Sequence, residues 1–187
     1  MALAKTRDPR NLVWMDLEMT GLDPDRDTIL EIATIITDSD LKILAEGPVM
    51  AIHCPEETLV RMDPWCVEHH GASGLTQRVR DSKVTMKQAE EKTLAVIQQW
   101  CTEKTAPLCG NSIHQDRRFL VRYMARIHDY LHYRMIDVSS IKELVHRWYP
   151  DEARQRTKTQ THLAHDDVKE SIEELAWYRQ KVFRPTS

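Results

Sequence analysis

Positive charge is scarce in this chain: 26 Lys and Arg stand against 29 Asp and Glu, giving a formal net charge of −3 and a pI near 6.3. A protein that tracks long nucleic acid neutralises many phosphates and is usually basic. A nucleic-acid ligand, if there is one, is therefore expected to be short or gripped locally. The charge is also segregated, with residues 1–55 acidic and residues 114–160 richer in Arg and Lys. Paired cysteines are missing too. Cys54, Cys66, Cys101 and Cys109 form no CxxC, and the opening MALAKTRDPR lacks the apolar stretch of a secretion signal. Reduced thiols in a cytoplasmic protein are expected. No apolar run approaches the ~20 residues that span a bilayer, and no internal repeat or low-complexity segment is present.

Two metal motifs fail on inspection. The run from Asp23 has acids at alternate positions, but Thr28 stands where a calcium loop needs its glycine and Thr34 where it needs its glutamate. His53, Cys54, Cys66, His69 and His70 hint at zinc, yet the two cysteines are too far apart for a knuckle.

A length of 187 residues, with 41% hydrophobic and 29% charged, suits one well-packed soluble domain. Residues 1–10 read as a loose tail, 11–183 as a single domain and 184–187 as a second tail. Leu12 to Glu18 reads as a strand. Residues 28–38 are β-branched and too apolar for a half-exposed strand, so a central position is expected. LKILAEGPVMAIH gives a third strand broken by Gly47-Pro48. Three strands joined by short turns describe an antiparallel meander.

Helical spacing follows from Thr85 to Cys101, where Met86, Ala89, Thr93, Leu94, Ile97, Trp100 and Cys101 keep to one face. A short buried strand at Pro107 to Gly110, a helix from His114 to His128 and a short strand from Arg134 to Val138 come next. Ser139 is placed to cap a helix from Ser140 to Trp148. Residues 150–161 read as a mobile loop, and a last helix, about Ala164 to Val182, buries Val168, Ile172, Leu175 and Tyr178. This order predicts an α/β domain with a mixed central sheet and helices on both faces, the shape of a ribonuclease-H-like fold.

Four acids stand out. Asp16 and Glu18 lie two apart on a strand, so their side chains leave the same face. Their neighbours Val13, Trp14, Met15 and Leu17 make that strand a buried one, where unpaired carboxylates are costly. Asp116 and Asp167 each fall early in a predicted helix, where an acid also complements the helix dipole. His162, five residues before Asp167, reads in isolation as a surface residue.

Taken together, DxE, a central Asp at a strand-to-helix turn and HxAxxD resemble the DEDDh class of 3′-to-5′ exonucleases. DLEMTGLDP, ITDSDLKILAEGP, GNSIHQDRRFL, HYRMIDVSSIKEL and HLAHDDVKESIEEL, from about Asn11 to Phe183, are similar to the oligoribonuclease family within it. The resemblance implies a metal role for Asp16, Glu18, Asp116 and Asp167, with Asp166 as the alternative to Asp167. Oxygen-only ligands favour two divalent cations, Mg²⁺ or Mn²⁺, which offset a repulsion of several kcal/mol per close carboxylate pair at an effective dielectric near 20 (roughly). His162 would be the general base, swinging in from the mobile loop.

The resemblance further implies that very short RNA, dinucleotides preferred, is cut to 5′-mononucleotides. Leu22 and Trp65 would wedge and stack the bases, although Trp65 also suits a core. His70 would lie near the 3′ side, and Ser112 and Gln115 would hold the 5′ phosphate. Tyr133 and Arg134, with Ser139 and Lys142, resemble the part supplied by the second subunit of a homodimer. Tyr133 is either catalytic or only positions substrate across that dimer. Two other readings stay open: an exonuclease of the same class trimming longer RNA or DNA, and a non-catalytic dinucleotide-binding protein on the same fold.

Overall fold

The computed structural model describes residues 7–149, 151 and 164–184. Its centre is a six-stranded mixed sheet. Strands β1 (Leu12–Met19), β2 (Ile29–Thr37) and β3 (Ile43–Glu46) form the antiparallel meander, and β4 (Met50–Ala51) also pairs with β2. Gly47 and Pro48 separate β3 from β4, as the sequence predicts. On the other side of β1, β5 (Leu108–Gly110) and β6 (Met135–Asp137) run parallel to it, giving the order β3-β2-β1-β5-β6. Every residue of β2 is buried, Glu31, Thr34 and Thr37 included, in keeping with its place between β1 and β3.

The pleat of β1 assigns its side chains to two cores. Val13, Met15 and Leu17 face α4 (Met86–Trp100), α5 (His114–Tyr123) and α6 (Ala125–Tyr130). Trp14 faces the opposite way, with Ala33, Ile35 and Cys109, against α7 (Val138–Trp148) and α8 (Ala164–Lys181). Trp14 is fully buried, and its indole N–H donates to Thr37 Oγ1 at 3.0 Å. Each such large apolar side chain contributes about 1.5–3 kcal/mol through burial. Helices thus cover both faces of the sheet. Gly110 must lack a side chain, because a Cβ there would lie 2.9 Å from the Met15 carbonyl of the neighbouring strand.

Three local features depart from the sequence reading. The helix expected over His114 to His128 is two helices, broken at Met124 (φ −136°, ψ 55°). The buried Glu90 carboxylate of α4 accepts the Arg126 N–H at 2.8 Å and so satisfies the first turn of α6. Ser139 does not cap α7; Asp137 does, accepting the Ser139 N–H at 3.0 Å. Residues 56–81 form three short helices, α1 (Glu56–Leu59), α2 (Pro64–Ala72) and α3 (Leu75–Asp81), with their own small core of Leu30, Leu59, Leu75 and Val79. The signal for α2 was Asp63-Pro64, an N-cap followed by proline at N1, with Asp63 Oδ1 accepting the Trp65 N–H at 2.9 Å.

α4 opens on a capping box between Thr85 and Gln88. α8 buries Val168, Ile172 and Tyr178, with Leu175 half-buried against the same cluster. All four cysteines are free and buried. No helix among the described residues is long and apolar enough to cross a membrane.

Candidate active site

Asp16 and Glu18 share the face of Trp14, and that is the face on which α8 packs. Asp167, in the first turn of α8, therefore meets them: one oxygen from each of the three carboxylates lies within 4.8 Å of the others. The start of α8 is fastened to the sheet through Glu46 of β3. His165 Nε2 lies 2.8 Å from one of its carboxylate oxygens and Lys169 Nζ 3.2 Å from the other. Asp116 is outside that group of three, buried in the first turn of α5, where its Oδ1 accepts the Leu17 N–H at 2.9 Å. The acidic set thus hangs on one strand, two members by side chain and one by backbone.

Electrostatically these acids are crowded. Burial, then the charges of Asp116, Glu18 and Asp167, push the Asp16 carboxyl well above the ordinary range. Burial followed by Asp167, Glu31 and Asp116 raises Glu18 to about 8. Asp116 rises to about 7 through burial, despite the N–H groups of Leu17 and its own backbone holding it down. Glu31 stands directly opposite Glu18 in the β1–β2 ladder. Arg78 eases the crowding, but its guanidinium is engaged by Glu31 at 3.0 Å. An oxygen-only donor set, Asp116 buried and the other three half-buried, with surplus negative charge fits hard divalent cations.

A cleft of about 480 Å³ opens over these acids, lined by Asp16, Glu18, Leu22, Trp65, His70, Ser112, Gln115 and Asp116 among others. Leu22 and Trp65 stand at its rim with 61% and 58% of their surface exposed, so Trp65 is not a core tryptophan. It stacks on His69, ring centroids 3.8 Å apart. Leu22 rides on a tightly built loop. Asp27 accepts from Thr20 Oγ1 and from the Asp23 N–H, and Tyr123 OH donates to the Asp27 carbonyl at 2.6 Å. A Cβ on Gly21 would run into the Asp27 carboxylate.

His70 is buried beside Glu18. Its Nε2–H donates to the Met19 carbonyl at 2.8 Å, which leaves Nδ1 facing Glu18 Oε2 at 3.9 Å. Burial lowers its pKa, favouring the neutral ring.

Ser139 and Lys142 need a correction. The sequence reading grouped them with a segment from a second subunit, but Ser139 Oγ accepts the Ser112 N–H of its own chain at 3.0 Å. The cause is topological: β6 pairs in parallel with β5, so the first turn of α7 lies beside the end of β5. Lys142, one turn on, has its Nζ 3.4 Å from Glu174 Oε1. Tyr133 and Arg134 are elsewhere. Tyr133 is 72% exposed on a surface with Arg117, His128 and Asp129, and Arg134 lies over its ring at 5.3 Å. Asp166 is at the start of α8 beside Asp167 but is not one of the three converging carboxylates. His162 and nearly all of the 150–161 loop lie outside the described residues. The residues the sequence reading missed are His69, which stacks on Trp65 four residues away, Asp27, which ties the Thr20–Asp23 loop, and Arg78, Asn111 and Glu174, which act through partners distant in sequence.

Carboxylates gathered at the end of a mixed sheet, beneath an open cleft with an apolar rim, define the class of metal-dependent nucleases. Comparison with known proteins agrees. The family model described as "Exonuclease" matches residues 13–175. Oligoribonuclease from Pseudomonas paraeruginosa is 60% identical over 178 residues, covering 95% of this chain and 99% of that protein. Oligoribonuclease from Vibrio cholerae is 57% identical over 175 residues, covering 94% and 97%. The chain belongs to this exonuclease family and, within it, to the oligoribonucleases. It is accordingly a metal-dependent hydrolase. Among solved structures, exonuclease I from Methylocaldum szegediense superimposes with a TM-score of 0.68 at 16% identity. A zinc-bound E. coli exonuclease I complex with single-stranded DNA gives 0.70 at 16% identity. Each covers 92% of this chain, which spans 41% of theirs, and each shares its fold.

Proposed function

We propose that this chain is a 3′-to-5′ exoribonuclease that degrades very short RNA, with dinucleotides preferred, to 5′-mononucleotides. The observation that carries this reading is the convergence of Asp16, Glu18 and Asp167 beneath a rim of exposed Leu22 and Trp65. Such a cleft is suited to two bases and a phosphate, and among the described residues its lining holds no Lys or Arg.

Asp16, Glu18, Asp116 and Asp167 would hold two divalent cations, Mg²⁺ or Mn²⁺. Bound there, the cations supply Lewis-acid charge at the scissile phosphate. Leu22 and Trp65 hold the bases by wedging and stacking, and His70 closes the cleft next to Glu18. His162, two residues ahead of the first residue of α8, accepts a proton from the attacking water. The water oxygen bonds to phosphorus, the bond from phosphorus to the 3′ oxygen breaks, and that oxygen takes up a proton. The terminal nucleotide leaves with its 5′ phosphate.

Ser112, Gln115, Ser139 and Lys142 would receive the 5′ phosphate of the substrate, and Tyr133 and Arg134 of a second subunit would close over it. Residues 11–183 act as the single exonuclease domain, in a cytoplasmic homodimer.

The test compares a labelled diribonucleotide with an RNA of roughly twenty nucleotides, each with Mg²⁺ and with EDTA. Fast Mg²⁺-dependent cleavage of the dinucleotide and slow cleavage of the long RNA are expected. Equal rates on both would overturn the short-substrate reading, and EDTA-resistant activity would overturn the metal mechanism.

A further inference from the structure

One buried acid takes no part in the chemistry above. Glu174, on α8, is 2% exposed, yet it belongs neither to the converging carboxylates nor to the lining of the cleft. A buried carboxylate is retained at a cost unless partners satisfy it, and Glu174 is well supplied. Its Oε1 receives the Tyr178 hydroxyl at 3.1 Å and lies 3.4 Å from Lys142 Nζ. Its Oε2 receives the Asn111 side-chain N–H at 3.1 Å.

The consequence lies in the direction of the hydrogen bonds. Beside the Lys142 ammonium Glu174 acts as an acceptor, and the Asn111 NH₂ accordingly faces α8, one N–H donating to Glu174 and the second reaching Ser171 Oγ at 2.9 Å. The amide oxygen then faces α7 and accepts the Ser139 hydroxyl at 3.1 Å. With its proton committed there, Ser139 Oγ is left as an acceptor. It receives the Ser112 N–H at 3.0 Å and lies 3.2 Å from the Ser112 hydroxyl. Ser112 itself has a positive φ of 49°, a conformation that a serine holds only when its surroundings fix it. Glu174 thus sets the polarity of a relay that ends at the cleft wall, and it also fixes where the Lys142 ammonium stands.

We infer that Glu174 is a positioning residue for the 5′-phosphate end of the substrate, acting through Asn111, the Ser139–Ser112 pair and Lys142. This rests on the proposed assignment of Ser112, Ser139 and Lys142 to that phosphate. A phosphate needs donors; the relay makes the Ser112 hydroxyl a donor, engaged at 3.2 Å with Ser139 Oγ, and this proton can swing to an arriving phosphate while Ser139 keeps the Ser112 N–H and Lys142 supplies the charge.

The experiment measures kcat and KM for diribonucleotides with a 5′ phosphate and with a 5′ hydroxyl. The wild-type chain is expected to favour the phosphorylated form. In Glu174→Gln, which keeps the volume but presents an NH₂ that lets Asn111 flip, the preference should fall about tenfold, through KM, with the 5′-hydroxyl substrate unaffected. Lys142→Met, a half-exposed position that does not threaten folding, should lower the same preference, and the double variant should be no worse than the single ones. An equal loss on both substrates, an unchanged preference, or additive losses in the double variant would each overturn the inference. A wild-type chain with no preference for the phosphate removes the phosphate assignment first and the inference with it, a failure visible without any variant.

Discussion

The four acids of the cleft and the lone Glu174 of α8 behave in opposite ways. Asp16, Glu18, Asp116 and Asp167 crowd one another, and the carboxyls of Asp16, Glu18 and Asp116 are raised by burial and by like charge. Glu174, two turns along the helix from Asp167, is more deeply buried than the half-buried Asp16, Glu18 and Asp167, yet it has a tyrosine, an asparagine and a lysine arranged around it. The same residue type thus serves as an unfinished ligand set in one place and a finished brace in the other. The difference is the neighbouring charge. Acids crowded by other acids would be relieved by a divalent cation, whereas an acid ringed by donors holds its neighbours still.

The strongest way to sharpen this contrast is Asp16→Asn. Activity should fall by about a thousandfold or more, the loss of about 4 kcal/mol or more of transition-state stabilisation. In EDTA, however, the variant should unfold at a higher temperature than the parent, because folding no longer holds this carboxyl away from the ionised form it takes in the unfolded chain. A lower melting temperature in EDTA would mean that the acids are internally satisfied after all.

The pH dependence of the metal-free chain comes next. Glu18 and Asp116, raised to about 8 and about 7, keep protons in the folded chain that the unfolded chain releases near pH 4 (roughly). The folded state then binds more protons between those limits, so this stabilisation is complete below about pH 4 and is lost as pH climbs through 7 and 8. Urea unfolding in EDTA should show a decline on the order of a few kcal/mol between pH 5 and pH 9, and Mg²⁺ should flatten it by binding only the folded chain. A profile that is level in EDTA would break the comparison.

The smallest effect belongs to the brace. Glu174→Gln should destabilise the chain by about 1–3 kcal/mol, since it removes the countercharge of Lys142 and disturbs the Asn111 amide. Its sign in a thermal melt should be opposite to that of Asp16→Asn in EDTA. Matching signs would place Glu174 with the crowded acids.

How far the sequence carried this picture depended on where each partner lies. The meander, the buried β2, the capped α4 and the acids on β1 were legible, because period-two and period-3.6 patterns and local caps record what a segment does by itself. The break at Met124 was not, because its cause is Glu90, on another helix. Ser139 was assigned to a second subunit because nothing in the local sequence records that β6 settles beside β5. Glu174 looked like one more acid on a helix, and its role became visible only when Asn111, 63 residues away, met it. Trp65 was ambiguous for the same reason: exposure is a property of the assembled surface.

The single strand β1 has one more consequence. It carries Asp16 and Glu18 on one face, orients Asp116 through the Leu17 N–H, and anchors His70 through the Met19 carbonyl. A slip of one residue against β2 would exchange that face for Met15 and Leu17 and dismantle every part of the centre together. Capture of a cation would therefore double as a register check, since Asp16, Glu18 and Asp167 converge only when β1 is correctly aligned and α8 has docked upon it.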